Sequence, residues 1–196
     1  MSMEHKAYLF DMAKYHSDIE RIMDTCCKER NFLEAEMYID KHWRELYSPY
    51  TGEPLEEEWK KKLISGNLQE YFDILLTACY EWENDIGLGY AWDGVSETLK
   101  QLNFINDIEK CVLGRSLVFH GLTIDPGAMG LGIIDVNEVK YIKDKLIQNK
   151  EKFESADLPQ DLLYEMEKEE IIDAYDDLCG IYIQADKERK GIMFTF

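Results

Sequence analysis

The sequence predicts a helix-rich α/β protein built around a small β-sheet, with an α+β arrangement as the alternative. Hydrophobic residues recur at helical spacing over most of the chain, and short apolar segments at its two ends are typical of strands. The elements mix without the regular alternation of βαβ units. With 196 residues, 45% of them hydrophobic, and no linker or internal repeat, residues 1–196 are predicted to form one domain.

The first half of the chain is predicted to be one strand followed by helices. Residues 6–12 are short, aromatic and apolar, which is typical of a strand. Ser17 with Glu20, and Asn31 with Glu34, form capping-box patterns ahead of apolar residues at helical spacing. Further helix starts are predicted at Pro54, after the Ser65-Gly66-Asn67 break, and at Ser96.

The second half changes character before it returns to helices. Residues 112–134 contain five glycines and only two charged residues, Arg115 and Asp125, with a candidate strand at residues 117–119. Helices are predicted to begin at Asp135 and Pro159, and residues 171–183 belong to the last long one. Residues 192–196 alternate as a final strand, which we expect to pair with the first.

The strongest candidate functional feature is an acidic segment near the C-terminus. Ten acidic residues and one basic residue between Glu154 and Asp177 give this stretch a net charge of −9, half of the −18 of the whole chain. At about 100° per residue, five of the carboxylates share one arc of a helix whose opposite arc is apolar. They are Glu169, Glu170, Asp173, Asp176 and Asp177. The arc is either a solvated face or a surface that selects a basic partner.

A second candidate site is centred on His120 in the glycine-rich segment. Asp125 lies close enough in sequence to orient its imidazole for general-base chemistry, although a buried, hydrogen-bonded structural histidine is the favoured interpretation. Arg115 and the aromatic residues Tyr90 and Trp92 would complete a partly apolar pocket. This pocket supports the alternative hypothesis of a small-ligand binder or an enzyme.

Composition argues against several other classes of function. Forty acidic against 22 basic residues disfavour binding to nucleic acid or an anionic membrane. There is no apolar run of membrane-spanning length and no hydrophobic signal core behind the N-terminus, so a cytoplasmic protein is predicted. Five cysteines without a paired framework predict buried, reduced thiols. The sequence contains no complete catalytic, metal-binding or cofactor motif, and no cofactor is predicted.

Several blocks, taken in order, resemble the YfbM-like family of small bacterial proteins of unknown function. Residues 40–46 (D-K-H-W-R-E-L) with Thr51-Gly52 resemble its D-K-x-W-x-x-L … T-G block. Residues 106–114 resemble the V-L-G block that leads into a glycine-rich stretch, and residues 134–139 resemble the helix entry after it. The segment from Tyr175 through Tyr182 to Gly191 resembles the closing helix and strand.

The resemblance spans nearly the whole chain and has two departures, at residues 48–50 and in the aromatic loop 87–92. It implies a three-layer domain in which a small mixed β-sheet is flanked by helices on both faces. It brings no catalytic residues, and Asp40, Lys41 and Trp43 are equally explained as a structural cluster.

The sequence therefore favours a non-enzymatic, cytoplasmic binding protein whose acidic helix recognises a basic protein partner. One concrete form is an immunity protein that neutralises a cationic toxin. A further hypothesis is an oligomer subunit whose exposed aromatic residues form the interface between copies.

Overall fold

The computed structural model describes residues 3–103, 109–124 and 131–196. At its centre lies a five-stranded antiparallel sheet with the strand order β1-β5-β4-β2-β3. The strands are β1 (Lys6–Phe10), β2 (Arg115–Phe119), β3 (Leu122–Ile124), β4 (Gly132–Ile134) and β5 (Gly191–Thr195). The fold is therefore α+β, which is the alternative to α/β that the sequence predicts.

The sheet is surrounded by helices from both halves of the chain. These are α1 (Met12–Lys14), α2 (Glu20–Glu29), α3 (Leu33–His42), α4 (Leu68–Leu76), α5 (Trp92–Leu102), α6 (Lys110–Leu113), α7 (Val136–Gln148), α8 (Lys150–Glu154) and α9 (Lys168–Glu188). A π-helical turn, Tyr15–Ile19, joins α1 to α2 without a break. Short 3₁₀ turns occupy Trp43–Glu45, Trp59–Lys62 and Thr77–Cys79.

The pleat of the central strands divides the core into two halves. Tyr8 and Met193 face one side of the sheet, where α1 to α4 cover them. Ile192 and Phe194, the neighbours of Met193 on β5, face the other side, where α5 to α9 cover them. Alternating side chains on one strand thus anchor two opposite helical layers, as the side-chain period of two requires. The expected three-layer arrangement is present.

The pairing of the two terminal strands is confirmed. β1 and β5 run antiparallel, with Lys6 opposite Thr195 and Tyr8 opposite Met193. The expectation of a mixed sheet is wrong, because each pairing between described strands is antiparallel. At β2–β3 the cause is local: His120 and Gly121 form a two-residue turn with φ values of 48° and 80°, which reverses the chain.

Several predicted helix starts agree with the structure, and others do not. Asp135 caps α7 by accepting from Asn137 N, and Asn67 caps α4 by accepting from Glu70 N. The start predicted at Ser17 is wrong. The helix already begins at Met12, because Asp11 Oδ1 accepts from Lys14 N at 2.9 Å and caps it there.

Three other predicted starts are also wrong. Pro54 lies in a hairpin-like bridge opposite Tyr47 rather than at a helix N-terminus. Ser96 is buried inside α5, which begins at Trp92. Pro159 does not open a helix, since the segment before Lys168 is bound by other elements: Leu163 N donates to Asp93 Oδ2 at 2.6 Å.

Candidate functional site

The outward arc of α9 carries the predicted carboxylates in solvent. Glu169, Asp173 and Asp177 are exposed, and their side chains make no ion pair or hydrogen bond with a described residue. Because they follow one another at intervals of four residues, they form one row along the helix, with about 6 Å of rise between neighbours. We call these three residues the acidic ridge.

The other two predicted members of this arc have structural partners. Glu170 Oε2 accepts from Glu167 N at 2.8 Å and closes the capping box at the start of α9. Asp176 lies 2.6 Å from Lys150 Nζ, so its charge is paired within the chain. The unpaired part of the predicted surface is therefore narrower than the five residues taken from the sequence.

The inward arc of α9 fixes the helix in the second core layer. Tyr175, Leu178 and Tyr182 are fully buried. The Tyr175 hydroxyl donates to Leu146 O at 2.7 Å, and the Tyr182 hydroxyl donates to Cys111 O at 2.9 Å. These bonds satisfy both buried hydroxyls and hold the rotation of the helix, so the acidic ridge is presented outward by a rigid element.

The predicted pocket around His120 is not assembled, because its members lie at opposite edges of the sheet. Arg115 is an exposed residue of β2 that pairs with Glu138. His120 occupies the β2–β3 turn at one edge, and its Nε2 is 3.0 Å from Asp24 Oδ1. The expectation that His120 is buried is wrong, since the turn leaves its side chain 45% exposed. Asp125 lies outside the described residues.

Tyr90 and Trp92 are found beside β1, at the other edge of the sheet. Their loop is joined to the chain before β1 by the bridge between His5 and Gly89. Tyr90 is exposed, whereas Trp92 is buried and its Nε1 donates to Met3 O at 3.0 Å. Neither residue reaches the β2–β3 turn, so the alternative site has no common cavity in the described residues.

The buried structural histidine is His5 rather than His120. Its Nδ1 accepts from Leu88 N at 3.1 Å, so the proton resides on Nε2, which donates to Val112 O at 2.6 Å. Burial lowers the pKa of His5 to about 4, against an ordinary value of 6.5. Both ring nitrogens are satisfied, which gives His5 a role in joining the N-terminus to two loops.

The cysteines agree with the prediction of buried thiols. All five are free and buried. Burial raises the pKa of the Cys79 and Cys111 thiols to about 12, which keeps them protonated and unreactive at neutral pH. Among the described residues, the structure contains no group of three or more His, Cys, Asp or Glu side chains placed to hold a metal ion.

A concave site that the sequence did not predict lies beneath β1 and β5, on the face covered by α4. The cavity has a volume of about 220 Å³. We call it the aromatic cleft and define it by Lys6, Tyr50, Asp73, Tyr80, Trp82 and Phe196. Lys6 and Thr195 are directly opposite each other in the β1–β5 ladder, so the edge of the sheet forms one wall.

Asp73 is the buried carboxyl group of this cleft. The residue is 8% exposed, and Gln69 Nε2 donates to its Oδ1 at 2.7 Å. Burial raises its pKa to about 7 from the ordinary 3.8; nearby Glu70 also raises it, while hydrogen bonds from Gln69 and Tyr50 lower it. A perturbed carboxyl group that lines a cavity is a recognised mark of a functional site.

Trp82 forms the outer aromatic wall and is held from several sides. Its ring stacks on Tyr8 with centroids 6.0 Å apart, and Lys6 Nζ lies 5.1 Å from its centroid. Gly52 packs directly against the indole: a Cβ built at Gly52 would lie 1.8 Å from Trp82 Nε1. The loop that carries Tyr50 therefore fits Trp82 only because residue 52 has no side chain.

The sequence contained one local signal for this site. Asp73 interrupts the apolar run of α4, with Tyr71 and Phe72 before it and Ile74 to Leu76 after it. A carboxyl group in such a run must be buried or must break the helix face. The other members come from distant segments of the chain, and no pattern in the sequence links them.

Comparison with protein-family models, curated proteins and solved structures finds no significant match to this chain. The resemblance to the YfbM-like family therefore stays a prediction. None of the described helices is long and apolar enough to cross a membrane.

Proposed function

We propose that this chain is a non-enzymatic binding protein that recognises a basic protein partner through the acidic ridge. The observation that carries the proposal is the difference between the buried inner arc and the exposed outer arc of α9. Its inner arc supplies buried side chains to the core, whereas Glu169, Asp173 and Asp177 are exposed and make no hydrogen bond or ion pair with a described residue. The fold therefore does not require these three charges.

The arrangement of the ridge supports the same proposal energetically. Like charges four residues apart on a helix repel one another by a few tenths of a kcal/mol per pair. Alternating lysines would keep the surface polar without that cost, yet Lys168 is the one basic residue between Glu154 and Asp177. Clustered charge of one sign attracts a partner of the opposite sign and accelerates association.

A bacterial immunity protein of the YfbM-like family, which neutralises a cationic toxin, is the specific form that we favour. In this form the ridge would cover a positively charged surface of the toxin. A cytoplasmic location belongs to the same proposal, supported by the five free, buried cysteines, because reduced thiols suit a reducing compartment. Neither nucleic acid nor membrane is expected as a partner, given the net charge of −18.

The test is charge reversal of the whole ridge. The triple variant Glu169→Lys, Asp173→Lys, Asp177→Lys is immobilised beside the wild-type chain and exposed to a lysate of the source cell at low salt. The matched control reverses Glu29, Glu53 and Glu57, which are exposed acidic residues outside α9. We expect a basic protein to be retained by the wild type and the control, and lost by the ridge variant.

The retained protein is then purified and its association rate measured against salt concentration. Because exposed charges act mainly on the encounter, the ridge variant should associate at least about tenfold more slowly at low salt and lose most of the salt dependence. Equal association rates for the ridge variant and the wild type would contradict the proposal. So would a retained partner with a net negative charge.

A further inference from the structure

The aromatic cleft is independent of the acidic ridge and lies in the other half of the molecule, on the face of the sheet covered by α4. It combines ring faces, a buried carboxyl group and a defined volume, which together specify a class of ligand. We propose that the cleft binds a small organic ammonium ion, with the cation held against Trp82 and Tyr80 and its charge directed at Asp73.

The volume sets the size of the ligand. Drug-sized molecules occupy pockets of roughly 300–1,000 Å³. The cleft offers about 220 Å³, which suits a compact ion of the size of choline or a short alkylamine. A protein side chain could enter only as a single tip, so the cleft is a small-molecule site rather than a protein-docking surface.

The charge of the ligand follows from the groups that face the cavity. Asp73 supplies a carboxyl group, and Tyr80 and Trp82 line the cavity with aromatic rings, whose negative quadrupoles attract cations. Burial of a carboxylate without a nearby cation is costly, and a bound ammonium would remove that cost. Neutral ligands of the same shape would leave the cost in place and gain only the apolar contact.

Lys6 shows that the indole of Trp82 accepts a cation. Its Nζ lies 5.1 Å from the ring centroid, and the side chain makes no ion pair with a described residue. Lys6 is half-buried and lies near the end of the sheet, so its long side chain can move into water. An incoming ammonium would take its place on the ring, which makes Lys6 a competitor of the ligand.

Binding should be coupled to ionisation of Asp73. The carboxyl group is faced by Glu70 from its own helix, by Tyr50 from the loop that holds Trp82, by Tyr80 and, across the cavity, by Lys6. Because an ammonium ion prefers the carboxylate, binding releases the Asp73 proton to solvent. Affinity should therefore rise with pH through about 7 and level off above it.

The primary test is an NMR titration of the full chain with choline, followed at the indole N–H of Trp82. The neutral isostere 3,3-dimethylbutan-1-ol and the zwitterion glycine betaine serve as comparison ligands. We expect a saturable shift with choline and binding about tenfold weaker or more for the neutral isostere. Equal binding of the isostere would overturn the proposal, as would a Trp82 resonance that does not move with choline.

Variants then separate the roles of the two charges. Asp73→Asn should weaken choline binding about tenfold at pH 8, whereas the matched change Asp177→Asn on the acidic ridge should leave it unchanged. Lys6→Met should strengthen binding, whereas Lys28→Met, the same change at an exposed position of α2, should not. These controls exclude a general effect of net charge.

Two results would overturn the assignment of an ammonium ligand. The first is weaker choline binding by Lys6→Met, together with tighter binding of betaine than of choline by the wild type, since a zwitterion would then use both charges. The second is unchanged choline affinity in Asp73→Asn. Should that variant fail to fold, Lys6→Met and the comparison of choline with its isostere on the wild type decide the question.

Discussion

The acidic ridge and the aromatic cleft use carboxyl groups in opposite ways. On α9, Glu169, Asp173 and Asp177 are exposed to water, and their charges act on a partner over a distance. In the cleft, Asp73 is removed from water, and burial raises its pKa to about 7. A surface that acts over long range is therefore identified by its number of charges. A contact site is identified by the environment of a single charge.

The two regions should also respond differently to the solution. Charges on the ridge are screened within about 8 Å at physiological salt, so salt weakens whatever they attract. Asp73 is screened little because protein surrounds it, and pH is the variable that changes its charge. Salt sensitivity is thus expected for the ridge, and pH sensitivity near neutrality for the cleft.

The pH dependence of stability tests this contrast between the two carboxyl environments. Between pH 3.8 and about 7 the folded state keeps a proton on Asp73 that the unfolded chain has released. The free energy of unfolding therefore falls across this window as pH rises, by up to about 4 kcal/mol in total. Asp73→Asn should remove this loss, so the free energy of unfolding of the variant should rise relative to that of the wild type as pH rises.

Urea unfolding of the wild type and of Asp73→Asn between pH 4 and 8 measures this effect as the difference between their free energies of unfolding. His5 titrates with the opposite sign: burial lowers its pKa to about 4, so its contribution to stability is lost as pH falls below 6.5. The contribution of His5 is the same in the wild type and in Asp73→Asn, so it cancels when their free energies of unfolding are subtracted. A constant difference over the whole range would show that Asp73 titrates as an exposed aspartate does.

Two substitutions on α9 test the division between its two arcs. Leu178 is fully buried, and Leu178→Ala should lower the free energy of unfolding by about 2–5 kcal/mol through lost burial and the cavity that remains. The neighbouring change Asp177→Ala should lie within about 0.5 kcal/mol of the wild type, with a gain from relieved repulsion. Comparable losses for the two variants would contradict the view that the fold does not need the ridge.

Most of the fold follows from local patterns in the sequence. The terminal strands, the apolar stripe of α4 and the cap of α7 at Asp135 are each encoded by a few adjacent residues, and the structure contains them. Contacts between separate segments explain the incorrect helix starts at Pro54 and Pro159. Asp93 binds the backbone at Leu163, and the bridge between Tyr47 and Pro54 forms a hairpin where Pro54 alone indicated a helix.

The two candidate sites also differ in whether adjacent residues or distant segments of the chain form them. Charge on the acidic ridge can be counted along one helix, so the sequence located it, although the partners of Glu170 and Asp176 became visible only in the structure. Lys6, Asp73 and Trp82 are brought together by the sheet and by α4 from separate parts of the chain. The spacing of these residues in the sequence does not show that they lie close together in space. The one local signal is the apolar run that surrounds Asp73.

The most direct test of the contrast between outer and inner carboxyl groups is an NMR pH titration of the Asp73 side-chain carboxyl carbon in the wild-type chain. We expect a midpoint near pH 7 and a shift of that midpoint to lower pH when choline is added. A midpoint near the ordinary value of 3.8, unaffected by choline, would contradict both the burial of Asp73 and its role in the aromatic cleft.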